Sequence, residues 1–311
     1  DWLSSRGLGD VYKRQGFLEG DSIYFKTVKI DKAGNEKEGS ISNNKLVIDQ
    51  TPPSINYVSY KSDFTDTTLA TVGHEIILTL KTDELIQPPI ITIAGQSATI
   101  SDMGGGKWVA TYAMQNGDSD GVIPFEVEGI LDLSGNPNSG TAATTDGSMV
   151  IFDNTKPELD IVRIASNNQD STWAKVGDMI SINFIANELL ISQSVNLNGQ
   201  AMTISDLGSE KYLAQYEMTD LDTEGQLSFE ILITDSVGLE SDPIITASNS
   251  SQVIFDKTLP VLNQVNIQSN NQNNSSIAIT GDNVTLTFIP DEPLLTDSIV
   301  VTIANEEVTI N

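Results

Sequence analysis

The sequence predicts an all-β fold made of tandem β-sandwiches, and three observations carry that expectation. Apolar residues alternate with period two, as in Ile76-Ile-Leu-Thr-Leu80, Ile180-Ser-Ile-Asn-Phe184 and Val284-Thr-Leu-Thr-Phe288. A strand so patterned turns one face to a core and the other to water. Such runs recur about every ten residues between Gly, Asn, Asp and Ser, with no helical period of useful length. The third observation is a long internal repeat.

Three linkers match: IDQTPP at Ile48–Pro53, FDNTKP at Phe152–Pro157 and FDKTLP at Phe255–Pro260. Gly73, Gly177 and Gly281 recur every 104 residues, as do Glu84, Glu188 and Glu292, which end the strand that follows each glycine. Gly95/Gly199, Lys107/Lys211, Tyr112/Tyr216, Met114/Met218, Gly121/Gly225 and Phe125/Phe229 keep the same spacing. Asp31-Lys-Ala-Gly-Asn35 returns as Asp132-Leu-Ser-Gly-Asn136 and, more loosely, as Asp235-Ser-Val-Gly-Leu239. Residues 16–48 therefore read as the C-terminal part of one repeat and 49–152 and 153–255 as complete repeats. Residues 256–311 read as the N-terminal part of another.

Within Asp49–Phe152 the pattern predicts strands at Ser54–Tyr60, Glu75–Lys81, Ile90–Ile93, Ala98–Ser101, Trp108–Met114, Ile123–Glu128 and Met149–Phe152. Seven strands in about 100 residues fit an immunoglobulin-like sandwich. A barrel of similar strand count is the alternative, which tandem beads on a Pro-bearing linker disfavour. The expected fold class is thus all-β, tandem immunoglobulin-like seven-stranded β-sandwiches. Ile76, Leu78, Leu80, Phe125, Ile180, Ile182, Phe184 and Phe229 are the expected core.

The D-x-T-x-P linker, the G-D-x-[IV] strand ending in Glu, and D-x-x-G-N before the last strand together resemble bacterial immunoglobulin-like repeats. The resemblance covers everything from Gly16 onward. It implies a long surface protein or adhesin, or a spacer in a secreted enzyme. Two positions depart from the pattern: Leu239 in place of the final Asn, and Asn305 where the complete repeats have Gly95 and Gly199.

The first fifteen residues fit no repeat. Asp10–Gln15 can be written as GATGTGTATAAGAGACAG and Ser5–Gly9 as TCTCGTGGGCTCGGA, which looks like a sequencing-library adapter. Residues 1–15 are therefore read as translated adapter and excluded from the fold.

Composition bounds function. With 43 acidic against 16 basic residues the net charge is −27, which repels nucleic acid and anionic membranes and favours cations. No apolar run approaches the 18 or so residues of a membrane span. There are no cysteines and one histidine, His74, so thiol chemistry, zinc sites and nucleophile–base pairs are excluded. Asp178 and Asp282 stand at the position of His74, which marks a solvated turn rather than a general base. Carboxylate pairs are inevitable among 43 acids, and an acidic surface explains them. The chain is expected not to be an enzyme.

Calcium is the cofactor the acids point to, because hard cations take several oxygen ligands. Asn116-Gly-Asp118-Ser-Asp120-Gly121 and Asp220-Leu-Asp222-Thr-Glu224-Gly225 read as the front half of a calcium loop. Val127 and Ile231 occupy the closing position, so neither is an EF-hand. In a sandwich of this topology the loop after the second strand, the turn before the last strand and the entering linker share one end. Asp49, Glu84 and Asp132 are expected to converge, likewise Asp153, Glu188 and Asp235, and Asp256 with Glu292 in the last repeat. The simpler reading is that D-x-x-G-N is only a β-turn and the linker Asp only caps a bend.

Trp108 and Tyr212 occupy equivalent positions, which favours packing over a sugar platform, while Trp173 and Tyr57 have no equivalents. The expected function is a non-catalytic spacer or stalk of a bacterial extracellular or cell-surface protein, an adhesin, stiffened by calcium at domain junctions. A spacer in a secreted hydrolase, or a glycan- or protein-binding repeat, is the alternative. Its partners are neighbouring repeats in the same chain, with any host or matrix ligand met by other modules. Deleting Asp1–Gln15 should leave the thermal midpoint unchanged in a melting experiment; a measurable drop would make the segment part of the fold.

Overall fold

The computed structural model describes residues 16–24, 26–41, 43–294, 299–303 and 306–307. The adapter-like segment and Asn305 lie outside them. The chain divides into two compact units, one running to Lys156 together with Asp235–Glu240, the other comprising Pro157–Thr234 and Ser241 onward. All regular elements among the described residues are strands, and no helix is long and apolar enough to cross a membrane.

Two small ladders come first: β1 (Ser22–Ile23) with β4 (Leu46–Val47), and the hairpin of β2 (Lys26–Ile30) and β3 (Glu36–Ile41). The first complete repeat follows. It contains β5 (Ile55–Ser62), β6 (Leu69–Ala70), β7 (Glu75–Thr82), β8 (Ile90–Ile93), β9 (Gln96–Ser97), β10 (Thr99–Gly104), β11 (Lys107–Ala113), β12 (Gly121–Val122), β13 (Phe125–Glu128) and β14 (Ile151–Phe152). One sheet has the order β10-β11-β7-β5, facing β13-β8-β9, while β14 joins β12 to β6 and runs parallel to the latter. A four-stranded sheet in which the first, second, fifth and fourth long strands neighbour one another is the order of an immunoglobulin-like sandwich.

The second repeat reproduces this plan. Its strands are β15 (Leu159–Ser166), β16 (Trp173–Ala174), β17 (Met179–Ala186), β18 (Leu190–Leu197), β19 (Gln200–Ala201), β20 (Thr203–Gly208), β21 (Lys211–Glu217), β22 (Gly225–Gln226), β23 (Phe229–Asp235) and β24 (Ile254–Phe255). They order as β15-β17-β21-β20, β16-β24-β22 and β19-β18-β23. The last repeat begins with the hairpin of β25 (Leu262–Ser269) and β26 (Val284–Pro290). Of the four two-residue strands in the first complete repeat, β14 falls within the expected Met149–Phe152, whereas β6, β9 and β12 were not among the seven expected, because two residues are too few to show alternation.

The cores follow the period-two pattern. Ile76, Leu78, Leu80, Phe125, Ile180, Ile182, Phe184 and Phe229 are all buried, as the alternation predicts. Tyr60 packs tilted on Phe125 at 5.1 Å between ring centroids, and Phe184 stacks on Tyr212 at 5.2 Å. Trp108 is buried too, so the Trp108/Tyr212 position is a packing position. The outward N–H groups of edge strand β5 are not left open: Thr145 Oγ1 accepts from Val58 at 3.0 Å and Ser148 Oγ from Tyr60 at 3.1 Å. Ser248 and Ser251 do the same for Val162 and Ile164 at 3.0 Å each. Side-chain hydroxyls thus blunt an edge that would otherwise template another strand.

Phe184→Ala should cost about 3–5 kcal/mol, the loss expected on emptying a buried aromatic site. Chemical denaturation of the full chain measures it, and a cost under about 1 kcal/mol would contradict a closely packed core.

Candidate metal centre

Each linker is built from side-chain oxygens that accept backbone N–H bonds where the ladders stop. The aspartate of D-x-T accepts from the N–H two residues on: Thr51 to Asp49 at 3.3 Å, Thr155 to Asp153 at 3.0 Å, Thr258 to Asp256 at 3.0 Å. This is an Asx turn, a common use of aspartate. The next linker residue donates to an acid from the loop that ends at the recurring glycine. Gln50 donates to Glu19 at 2.6 Å, Asn154 to Asp120 at 2.8 Å and Lys257 to Glu224 at 2.8 Å. Further along, Ser54, Glu158 and Val261 donate to Asp83, Asn187 and Asp291 at 2.7, 3.0 and 2.8 Å.

These bonds account for the loop motif. Asp118 accepts from Gln115 N at 2.7 Å and from the Tyr112 hydroxyl, and Asn116 takes the Asn154 amide at 2.7 Å. Asp120 also accepts the Thr155 hydroxyl. In the second repeat Asp222 accepts from Thr219 N at 2.6 Å and the Tyr216 hydroxyl at 3.0 Å, and Glu224 from the Thr258 hydroxyl at 2.7 Å. The Lys257 ammonium donates to the backbone oxygens of Asp220 and Asp222 at 2.8 Å each. The carboxylates of Asp118, Asp120, Asp222 and Glu224 are thus engaged as turn caps and linker clamps, and no group of three metal-ligating side chains is found in either loop among the described residues. Residue type and spacing alone do not separate a clamp from a cation ligand.

The other set converges. One carboxylate oxygen each from Asp49, Glu84 and Asp132 lies within 4.8 Å of the others. Two oxygens on one calcium ion sit at most about 5 Å apart, twice the Ca–O distance of about 2.3–2.6 Å, so the spacing fits a single ion. Asp49 comes from the linker, Glu84 from the end of β7, and the fully buried Asp132 from the turn after β13. Gly106 fixes the approach of Glu84: it has φ of +78°, and a Cβ there would stand 2.6 Å from the Glu84 carbonyl oxygen. The Thr82 hydroxyl holds that same carbonyl at 2.6 Å.

The three carboxylates are not equally satisfied. Asp132 accepts from the Asn136 backbone at 2.8 Å and from the Asn136 side-chain amide at 2.7 Å. Burial pushes Asp132 upward, but these bonds, with the N–H groups of Gly135 and Ser134, hold it below the ordinary carboxylate range. Asp49 accepts the Ser134 hydroxyl at 2.7 Å, and the Asn136 amide stands 3.3 Å from its other oxygen. No donor among the described residues reaches the Glu84 carboxylate. Burial, then Asp132, Asp49, Asp83 and Glu19, push it above the usual range. Asn136, Ser134, Thr82 and Gly106 were not expected at the site; of these only Asn136 carried a sequence signal, as the last letter of D-x-x-G-N.

In the second repeat Asp153 and Asp235 bring carboxylate oxygens within 4.8 Å of each other. Burial pushes Asp153 upward, with Asp235 and Asp120 adding to it and the Thr155 N–H opposing. Glu188, half-buried just past β17, holds the repeat position of Glu84. In the last repeat burial, then Asp256 and Asp291, raise Glu292. His74 is taken up locally, its Nδ1 2.9 Å from Asp63 and its ring edge-on to Phe64. At the equivalent position Asp178 accepts the Asn168 amide at 2.7 Å.

No family profile matches the chain, and no curated protein matches it. Among solved structures it is similar to the fibronectin(III)-like modules of CbhA from Clostridium thermocellum, at 13% identity and a TM-score of 0.28, covering 64% of this chain and 94% of that one. It is also similar to the IG1 and IG2 pair of DIP-gamma, at 11% identity and a TM-score of 0.30, covering 68% and 99%. A tandem of titin domains matches at 9% identity and a TM-score of 0.27, covering 77% and 94%. These are likenesses of fold, and the strand order within each repeat carries the assignment.

Glu84→Gln should stabilise the protein in EDTA at neutral pH, because it removes an ionised group whose pKa folding has raised. The folded state binds that proton more tightly than the unfolded chain, so wild-type protein gains stability as pH falls through the raised pKa. The advantage of the variant should therefore shrink between about pH 7 and about pH 4. Denaturation curves at several pH values test this; an advantage that stays constant with pH would sink it.

Proposed function

We propose that this chain is a non-catalytic spacer of a bacterial extracellular or cell-surface protein, an adhesin, in which calcium stiffens the linker ends of the repeats. The tandem immunoglobulin-like architecture supports a spacer, since length is then set by copy number while each bead keeps its own core. The observation that carries the calcium reading is the convergence of Asp49, Glu84 and Asp132 at calcium spacing, with no donor to Glu84 among the described residues. Three facing carboxylates oppose one another at neutral pH, and a divalent ion reverses that repulsion while tying the linker residue Asp49 to the sandwich. Adhesive contacts fall to modules other than these repeats, and the net charge of −27 disfavours nucleic acid and anionic membrane as partners.

Calcium at about 1 mM, the range of extracellular modules, should raise the melting temperature of the full chain. At ten times the dissociation constant the gain is about 1.4 kcal/mol. Small-angle scattering should report a longer particle. Magnesium should do less, because it demands octahedral geometry and sheds water reluctantly. Asp49→Ala with Glu84→Ala should weaken both responses. If calcium alters neither melting nor dimensions in the wild-type chain, the acids are a solvated surface and the calcium reading fails.

A further inference from the structure

The turns Asp31–Asn35, Asp132–Asn136 and Asp235–Leu239 each open with an aspartate and bend through a glycine, and they differ at the last residue. In Asp31–Asn35 the Asn35 amide donates to Asp31 Oδ2 at 2.8 Å, and in Asp132–Asn136 the Asn136 amide donates to Asp132 Oδ2 at 2.7 Å. In Asp235–Leu239 the backbone part of the turn is intact: Val237 and Leu239 both donate to Asp235 Oδ1 at 2.9 Å. Leucine has no amide to give. Asp235 Oδ2 is accordingly buried with no hydrogen-bond partner, in a residue that is 0% exposed.

An anionic oxygen shut away from water without a donor is costly. A second carboxylate makes matters worse, since an Asp153 carboxylate oxygen lies within 4.8 Å of an Asp235 oxygen. In the first repeat the corresponding pair, Asp49 and Asp132, has the Asn136 amide between its members, 2.7 Å from Asp132 and 3.3 Å from Asp49. One neutral side chain there supplies positively polarised hydrogens to both acids.

We propose that the two complete repeats carry inequivalent sites: the Asn136 amide ties the first together without a metal, whereas the second, with Leu239 in that place, is completed only by a divalent cation bound to Asp235 Oδ2 and Asp153. This rests on the calcium reading above and divides it. The first site tolerates loss of the ion; the second turn loosens without it. The chain would then respond to falling calcium at the Asp235–Leu239 turn first.

Hydrogen exchange on the full chain reads the two turns separately, at the amides of Asn136 and Leu239, which donate to the equivalent Oδ1 atoms. In EDTA the Leu239 amide should exchange at least about tenfold faster than that of Asn136, the factor a hydrogen bond to a charged group contributes. Calcium at about 1 mM should slow Leu239 by that factor and leave Asn136 within about twofold. Leu239→Asn should slow the turn in EDTA with no calcium added, and Asn136→Leu should make the first turn calcium-dependent. Equal protection of the two turns in EDTA would overturn the proposal. So would an equal response of both to calcium, in which case calcium binding itself stands. If neither turn responds and the melting temperature does not move, the calcium reading falls with it.

Discussion

Everything at the ends of these sandwiches depends on one interaction, a side-chain oxygen accepting a backbone N–H where the strand ladder has stopped. A chain leaving a sheet carries N–H groups that must find partners. In the three linkers Asp49, Asp153 and Asp256 take the N–H two residues on, Glu19, Asp120 and Glu224 take the next residue after the aspartate, and Asp83, Asn187 and Asp291 take the entering strand. The linker is therefore held by acceptors on both sides of its proline. Its path is set by these bonds as much as by the fixed φ of proline.

This requirement also explains the acidity. An acceptor facing backbone N–H groups can be Asp, Asn or Glu, and the chain uses all three: Asn187 does what Asp83 and Asp291 do. Most choices fall on carboxylates, which make the stronger bond, and so charge accumulates at the loop ends. The residues that follow those acceptors, Glu84, Glu188 and Glu292, never become Asn in this chain. Glu84 caps nothing among the described residues, and burial and then the neighbouring Asp132 and Asp49 raise its pKa.

The sequence made the fold legible because the strands carry the code in their own side chains: Ile76, Leu78 and Leu80 had to face one way, and so did Ile180, Ile182 and Phe184. The two-residue strands β6 and β12 were less visible, since their place is fixed by pairing with β14, far along the chain. At the site, the topology that brings Asp49, Glu84 and Asp132 to one end could be inferred from the strand count alone. The [DN]-x-D-x-[DE]-G loops could not be judged in that way. Alternating acids before a glycine serve equally well as cation ligands and as clamps, and the choice is made by Asn154 and Lys257, which lie 34 and 33 residues from Asp120 and Glu224.

The two complete repeats show how far one side chain can shift the chemistry of a shared backbone. Their sheets have the same order and their turns the same N–H donors, yet an amide at 136 and an isobutyl group at 239 leave the buried aspartates in different states. A period of 104 residues therefore does not make the beads interchangeable. Packing constrains the core positions, where a lost methylene is felt directly. The turn position has two physically distinct solutions, an internal donor or an external one. On the calcium proposal, an array can combine both kinds of bead without altering a strand, and its sensitivity to its ionic surroundings lies at a single residue per repeat.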